Sequence, residues 1–140
     1  MTEEQGAGVE VFFYGLFMDE ALLRGKGLRP ENRRVASVEG FRLAIGGRAT
    51  LVRCEGASVY GVVYTLTRGE VESLYSEESV SAYRPEVVSA RAADGRVAQA
   101  LCFNLPAPPS EDERNTQYAS KLRELASHIG LPAEYVSSIR

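Results

Sequence analysis

Glu77 and Glu78, together with Gly15 at the end of an aromatic run, are the residues of this sequence whose types and settings point to chemistry. The two glutamates follow Val71, Leu74 and Tyr75 and precede Val80 and Tyr83. A carboxylate among apolar neighbours can take a proton from a bound substrate and return it, so either glutamate is a candidate general acid/base. The same pair also fits an ordinary solvated loop. Gly15 lacks a Cβ, which opens backbone angles closed to other residues and lets a ligand approach the main chain. The turn Tyr14-Gly15-Leu16-Phe17-Met18, followed by Asp19 as a helix cap, presents successive N–H groups of the kind that hold a carboxylate. A plain strand-to-loop turn has the same local spacing.

Other reactive side chains are sparse. His128 is the one histidine, which excludes a multi-histidine metal site. It falls near the end of a helical pattern, where a histidine complements the helix dipole. Cys54 and Cys102 show no CxxC spacing and no partner cysteines, so they suggest neither a zinc site nor a disulfide framework and read as small buried apolar residues. Most of the seven tyrosines read as core residues with a satisfied hydroxyl.

The elements that must position these groups follow from periodicity. Val9 to Tyr14 alternates as a buried strand, and Asp19 to Arg24 makes about two helical turns before Gly25 and Gly27. Arg33 to Val38, Phe41 to Ile45, Ala49 to Cys54 and Val59 to Thr67 are β-rich runs separated by Glu39-Gly40, Gly46-Gly47 and Glu55-Gly56, which predicts antiparallel strands joined by turns. Thr67 and Glu70 fit a capping box at the head of a short helix. Tyr83 to Ala92 and Arg96 to Asn104 are two further strands around the hairpin signal Asp94-Gly95. Tyr118, Leu122, Leu125 and Ile129 share one helical face, Gly130 ends that helix, and Pro132 opens a last one. The expected fold is α+β: a small mixed β-barrel of about six to seven strands with short flanking helices and a C-terminal helical segment.

The chain has 140 residues, 16 Lys+Arg against 19 Asp+Glu and a net charge of −3. That length suits one compact core, so residues 1–8 are expected to form a flexible leader and 9–140 a single domain. Scattered arginines on an acidic chain disfavour nucleic acid as a partner. No stretch approaches the length of a membrane span, and the polar, acidic first residues do not resemble a secretory signal, which places the protein in the cytoplasm with no membrane partner.

Several short stretches resemble one family in order and spacing. They are Phe13-Tyr14-Gly15-Leu16-Phe17-Met18, Gly46-Gly47-Arg48-Ala49-Thr50-Leu51, Tyr60-Gly61-Val62-Val63-Tyr64, Leu74 with Glu78-Ser79-Val80, Tyr83-Arg84, Gln117-Tyr118 and Gly130-Leu131-Pro132-Ala133-Glu134-Tyr135. The chain resembles the gamma-glutamylcyclotransferase-like (AIG2-like) family from Val11 almost to its C-terminus. That resemblance implies a small mixed barrel with no metal or organic cofactor. It also implies conversion of a gamma-glutamyl amine or amino acid to 5-oxoproline and the free amine. By position it gives Glu78 the role of acid/base, although the spacing to Tyr83 equally suits Glu77. Tyr14, Gly15, Leu16, Phe17, Met18 and Tyr83 would bind the substrate. Leu16 stands where the family commonly has serine, and Ser79 where it has glycine. A non-catalytic protein that binds small molecules and keeps this fold is the alternative.

Overall fold

In the computed structural model of the protein, residues 8–110 and 112–140 are described. Five strands close into a barrel in the order β1-β3-β2-β4-β5: β1 Gly8–Phe13, β2 Glu31–Ile45, β3 Ala49–Thr67, β4 Arg84–Ala92 and β5 Val97–Asn104. All neighbours are antiparallel except β1 and β5, which meet in parallel at Val11 and Leu101 and complete the closure. The helices are α1 Glu20–Gly25, α2 Arg68–Leu74, α3 Thr116–Ile129 and α4 Ala133–Ser138. The expected α+β barrel is therefore present, with five strands in place of six to seven.

The difference in count has a local cause. Glu39-Gly40 and Glu55-Gly56 read as turns, but they lie inside β2 and β3, where the pairing jumps from Glu39↔Ser58 to Phe41↔Arg53. Gly40 and Gly56 take positive φ (88° and 84°) there and bend two long strands without ending them. The expected leader, residues 1–8, lies outside the described residues except for Gly8, which pairs with Thr67 in β1.

The consecutive residues Val11, Phe12 and Phe13 of β1 and Val62, Val63 and Tyr64 of β3 are all nearly fully buried, so these two strands are covered on both faces, inside the barrel and out. Burying each of the larger ones contributes about 1.5–3 kcal/mol. The β1–β3 contact is tight enough that a Cβ at Gly61 would lie 2.2 Å from the Phe13 carbonyl oxygen. That is closer than any side chain permits, so glycine is required there.

Helix ends are set by their caps. Asp19 accepts from the Ala21 N–H at 3.0 Å to start α1. Thr67 and Glu70 exchange hydrogen bonds of 3.1 and 2.8 Å to start α2, a box in which the cap alone stabilises by about 1 kcal/mol. Asn115 caps α3, and Gly130, at φ 98°, ends it in the left-handed conformation. His128 sits in the last turn of that helix, where a cation would be favoured. Among the described residues no helix is long and apolar enough to cross a membrane.

Candidate active site

One end of the barrel carries the candidate site. The C-terminal ends of β1 and β5, the start of β4 and the β2–β3 hairpin meet there, around a cavity of about 380 Å³. Small-molecule sites usually span roughly 300–1,000 Å³, so the cavity suits a ligand of modest size.

The floor comes from β1. As the strand ends, Gly15 caps the 3₁₀ turn Leu16–Met18. The Met18 and Asp19 N–H groups donate back to the carbonyls of Gly15 and Leu16 at 3.0 and 3.1 Å. The Leu16 N–H reaches the Tyr118 hydroxyl of α3 at 3.4 Å. Gly15 itself has φ −113° and ψ −152°, extended angles that other residues adopt, so the expected need for unusual backbone angles is not met. Its lack of a side chain matters for a different reason: a Cβ at this position would come within 2.6 Å of the Tyr118 hydroxyl.

The second wall follows α2. Glu77 is extended (φ −65°, ψ 140°) and caps the 3₁₀ turn Glu78–Val80. The Val80 N–H donates to the Glu77 carbonyl and the Tyr83 N–H to that of Val80, each at 3.1 Å. This change of backbone at Glu77 sends the two glutamates in different directions. Glu77 lines the cavity, half-buried, with Lys26 Nζ at 2.8 and 3.0 Å from its carboxylate oxygens. Glu78 is exposed and does not line it.

Aromatic rings make up much of the remaining lining. Tyr75 stacks on Phe103 with centroids 3.8 Å apart and meets Phe17 edge-on at 6.1 Å and Tyr83 at 6.4 Å. The Tyr14 hydroxyl donates to the Phe103 carbonyl at 2.7 Å, and the Tyr83 hydroxyl donates to the Ala49 carbonyl. Burial pushes the Tyr14 and Tyr75 hydroxyls well above the ordinary tyrosine range. It pushes that of Tyr83 up to about 12, aided by Tyr118 and opposed by Arg48. These phenols stay protonated at neutral pH and serve as walls, those of Tyr14 and Tyr83 also as donors, and Glu77 is the carboxylate of the lining.

The β2–β3 hairpin closes the rim. It is fastened to β5 by the Leu105 N–H donating to Thr50 Oγ1 at 2.9 Å and by the Leu51 N–H donating to Asn104 Oδ1 at 3.3 Å. Glu113 Oε2 also accepts from the Gly47 N–H at 3.0 Å. Arg48, exposed at the tip, lines the cavity mouth with its guanidinium 6.0 Å from the Tyr83 ring centre.

A family model described as "Gamma-glutamyl cyclotransferase, AIG2-like" matches residues 11–122. The chain belongs to this family. Its fold is similar to that of a solved "Gamma-glutamyl cyclotransferase", with TM-score 0.80 at 21% identity over 96% of this chain and 89% of the other. It is also similar to uncharacterized protein loc79017 from Homo sapiens, with TM-score 0.77 at 23% identity over 95% and 88%. A third similar structure is YkqA from Bacillus subtilis, with TM-score 0.74 at 24% identity over 93% of this chain and 52% of that one. No curated protein matches the sequence.

For this member of the cyclotransferase family, the cavity gathers Tyr14, Gly15, Leu16, Phe17, Tyr83 and Glu77 from the sequence-derived candidates. Met18 stays outside it: the side chain is buried in the core and its carbonyl accepts from the Tyr64 hydroxyl at 2.8 Å. Lys26, Arg48, Tyr75, Phe103 and Tyr118 also line it and were not singled out as site residues from the sequence. Arg48 lay within a family-like stretch, a usable signal. Lys26, between two glycines, offered none. Among the described residues no cluster of His, Cys, Asp or Glu is arranged to hold a metal ion.

Proposed function

We propose that the protein is a gamma-glutamylcyclotransferase that converts a gamma-glutamyl amine or amino acid into 5-oxoproline and the free amine, with Glu77 as the acid/base. The observation that carries this reading is a carboxylate, Glu77, lining the same cavity as the Gly15 turn while Glu78 stands on the open surface. The family's reaction asks for that pairing.

In this mechanism the Gly15 and Phe17 N–H groups hold the α-carboxylate of the substrate. The chain folds so that its neutral α-amine faces its own γ-carbonyl carbon. Fixing such a geometry turns an improbable encounter into an intramolecular step. As the amine nitrogen bonds to the γ-carbon it becomes cationic and gives one proton to Glu77. The carbon then expels the former amide nitrogen, which takes that proton from Glu77 as the C–N bond breaks. One ring C–N bond forms and one amide C–N bond is lost. The proton begins and ends on substrate atoms, so the balance needs no water and no further reactant. The resemblance likewise implies no cofactor, and we place the activity in the cytoplasm, a reducing setting that suits the free thiols Cys54 and Cys102.

A second reading is a binding protein that holds gamma-glutamyl compounds without turnover. It is favoured by Leu16 and Phe17, which present apolar side chains to the cavity at the turn. The test is incubation with a panel of gamma-glutamyl amines, without added metal or nucleotide, and quantification of 5-oxoproline. Release that disappears in Glu77→Gln supports the enzyme. Binding by calorimetry with no release from any compound selects the binding protein.

A further inference from the structure

The cavity contains a chain of ring contacts with a cation at each end. Lys26 Nζ lies 5.8 Å from the Phe17 centroid, Phe17 meets Tyr75 at 6.1 Å, Tyr75 meets Tyr83 at 6.4 Å, and the Arg48 guanidinium stands 6.0 Å from Tyr83. The two cations are not equivalent. Lys26 is spent on Glu77, whereas among the described residues Arg48 takes part in no ion pair.

We infer that the group released from the substrate is an amino acid with a large apolar or aromatic side chain, whose free carboxylate is read by Arg48. This rests on the cyclotransferase reading for the position of the glutamyl head, beside Glu77 and the Gly15 turn. From that end, the leaving group runs along Phe17, Tyr75 and Tyr83 toward the hairpin. Aromatic faces and edges offer area to an apolar side chain. At the far end the Arg48 guanidinium, in no ion pair among the described residues, meets the ligand, and its fork of donors matches a carboxylate in geometry as well as charge. An amine lacking that carboxylate leaves Arg48 unused. A leaving group as small as glycine leaves the rings uncovered.

The experiment compares γ-glutamyl-phenylalanine, γ-glutamyl-phenethylamine (the same amine without its carboxylate) and γ-glutamyl-glycine. Each is assayed with the wild type, Arg48→Gln and Arg48→Lys. In the wild type, kcat/KM is expected to favour phenylalanine over phenethylamine by about tenfold, the scale of one charge-assisted pair at an exposed rim. It is expected to favour phenylalanine over glycine by tenfold or more. The phenylalanine-to-phenethylamine ratio should collapse toward one in Arg48→Gln and recover in part in Arg48→Lys. A ratio unchanged by Arg48→Gln, or a wild type that prefers glycine, overturns the inference while leaving the cyclotransferase reading intact. If no compound yields 5-oxoproline, the cyclotransferase reading fails. The same ratios, taken then as Kd by calorimetry, decide the ligand class: an Arg48-dependent preference supports it, and equal or absent binding overturns it.

Discussion

Lys26 grips both carboxylate oxygens of Glu77, at 2.8 and 3.0 Å, although 51 residues separate the two in sequence. Both side chains retain solvent contact, 27% for Lys26 and 39% for Glu77, so the pair adds at most about 1 kcal/mol to folding. Its consequence is positional, because one of the two rotamer-rich side chains is the proposed base. Lys26→Met is therefore expected to lower kcat on the order of tenfold to a hundredfold, the cost of a misplaced catalytic group. Lys26→Arg should retain more activity. Rates of 5-oxoproline release and urea unfolding together check this: a stability loss of several kcal/mol would make the pair a structural clamp instead.

A second prediction concerns Gly15 and Tyr118. A Cβ at position 15 would come within 2.6 Å of the tyrosine hydroxyl, the same oxygen that accepts from the Leu16 N–H. Gly15→Ala is expected to cost about 1–3 kcal/mol through overpacking and to weaken binding of gamma-glutamyl compounds as the turn shifts. Removing the hydroxyl removes the obstacle. In a Tyr118→Phe background the cost of Gly15→Ala should shrink by at least about 0.5 kcal/mol, a coupling that denaturant titration of the four proteins can resolve. Additive effects would mean that the turn and α3 are independent.

The parts of this molecule legible in the sequence are those decided within a few residues. Thr67 and Glu70 satisfy each other three positions apart, Asp19 caps its own helix, and Gly130 stops α3 with a conformation glycine alone adopts easily. Gly40 and Gly56 misled for the same reason: a glycine that bends a strand and one that ends it look alike locally, and only the pairing of β2 with β3 tells them apart. The candidate site depends on contacts across the chain. Glu77 and Glu78 are neighbours of one type, and what separates them is the backbone at position 77 and a lysine at the C-cap of α1. Tyr118 reaches the Gly15 turn over 102 residues, a meeting that barrel closure and the docking of α3 create and no local pattern announces.

The third prediction is a pH dependence. Burial pushes the Cys102 thiol from 9.0 up to about 12, with the nearby Glu86 charge adding to the rise and Asn104 opposing it. The folded state thus keeps its proton where the unfolded state has lost it. Below about pH 9 both states are protonated and no penalty applies. From there to about pH 12 the unfolded state binds fewer protons, and this group alone lowers stability by about 1.4 kcal/mol per pH unit. Denaturant unfolding at pH 8, 9 and 10 should show the decline in the wild type and a shallower one in Cys102→Ala. Equal slopes would mean that the thiol ionises freely in the folded protein.

The last prediction separates the two glutamates. If Glu77 is the acid/base, Glu77→Gln keeps the size and hydrogen-bonding capacity of the side chain but cannot accept the proton of the attacking amine. Loss of a positioned general base lowers turnover on the order of a hundredfold to ten-thousandfold. Binding should largely survive, because in this mechanism the substrate carboxylate is held by main-chain donors of the Gly15 turn that the substitution leaves in place. The loss should therefore fall on kcat more than on KM. Glu78→Gln should change the rate by less than about threefold, since Glu78 is exposed and outside the cavity lining and surface substitutions of this kind are usually nearly neutral. Side-by-side kinetics on one gamma-glutamyl substrate, with calorimetry on the inactive variant, checks both statements. Turnover lost in Glu78→Gln and kept in Glu77→Gln would assign the proton transfer to Glu78, and the 3₁₀ turn Glu78–Val80 would then have to rearrange when substrate binds to bring that carboxylate inside.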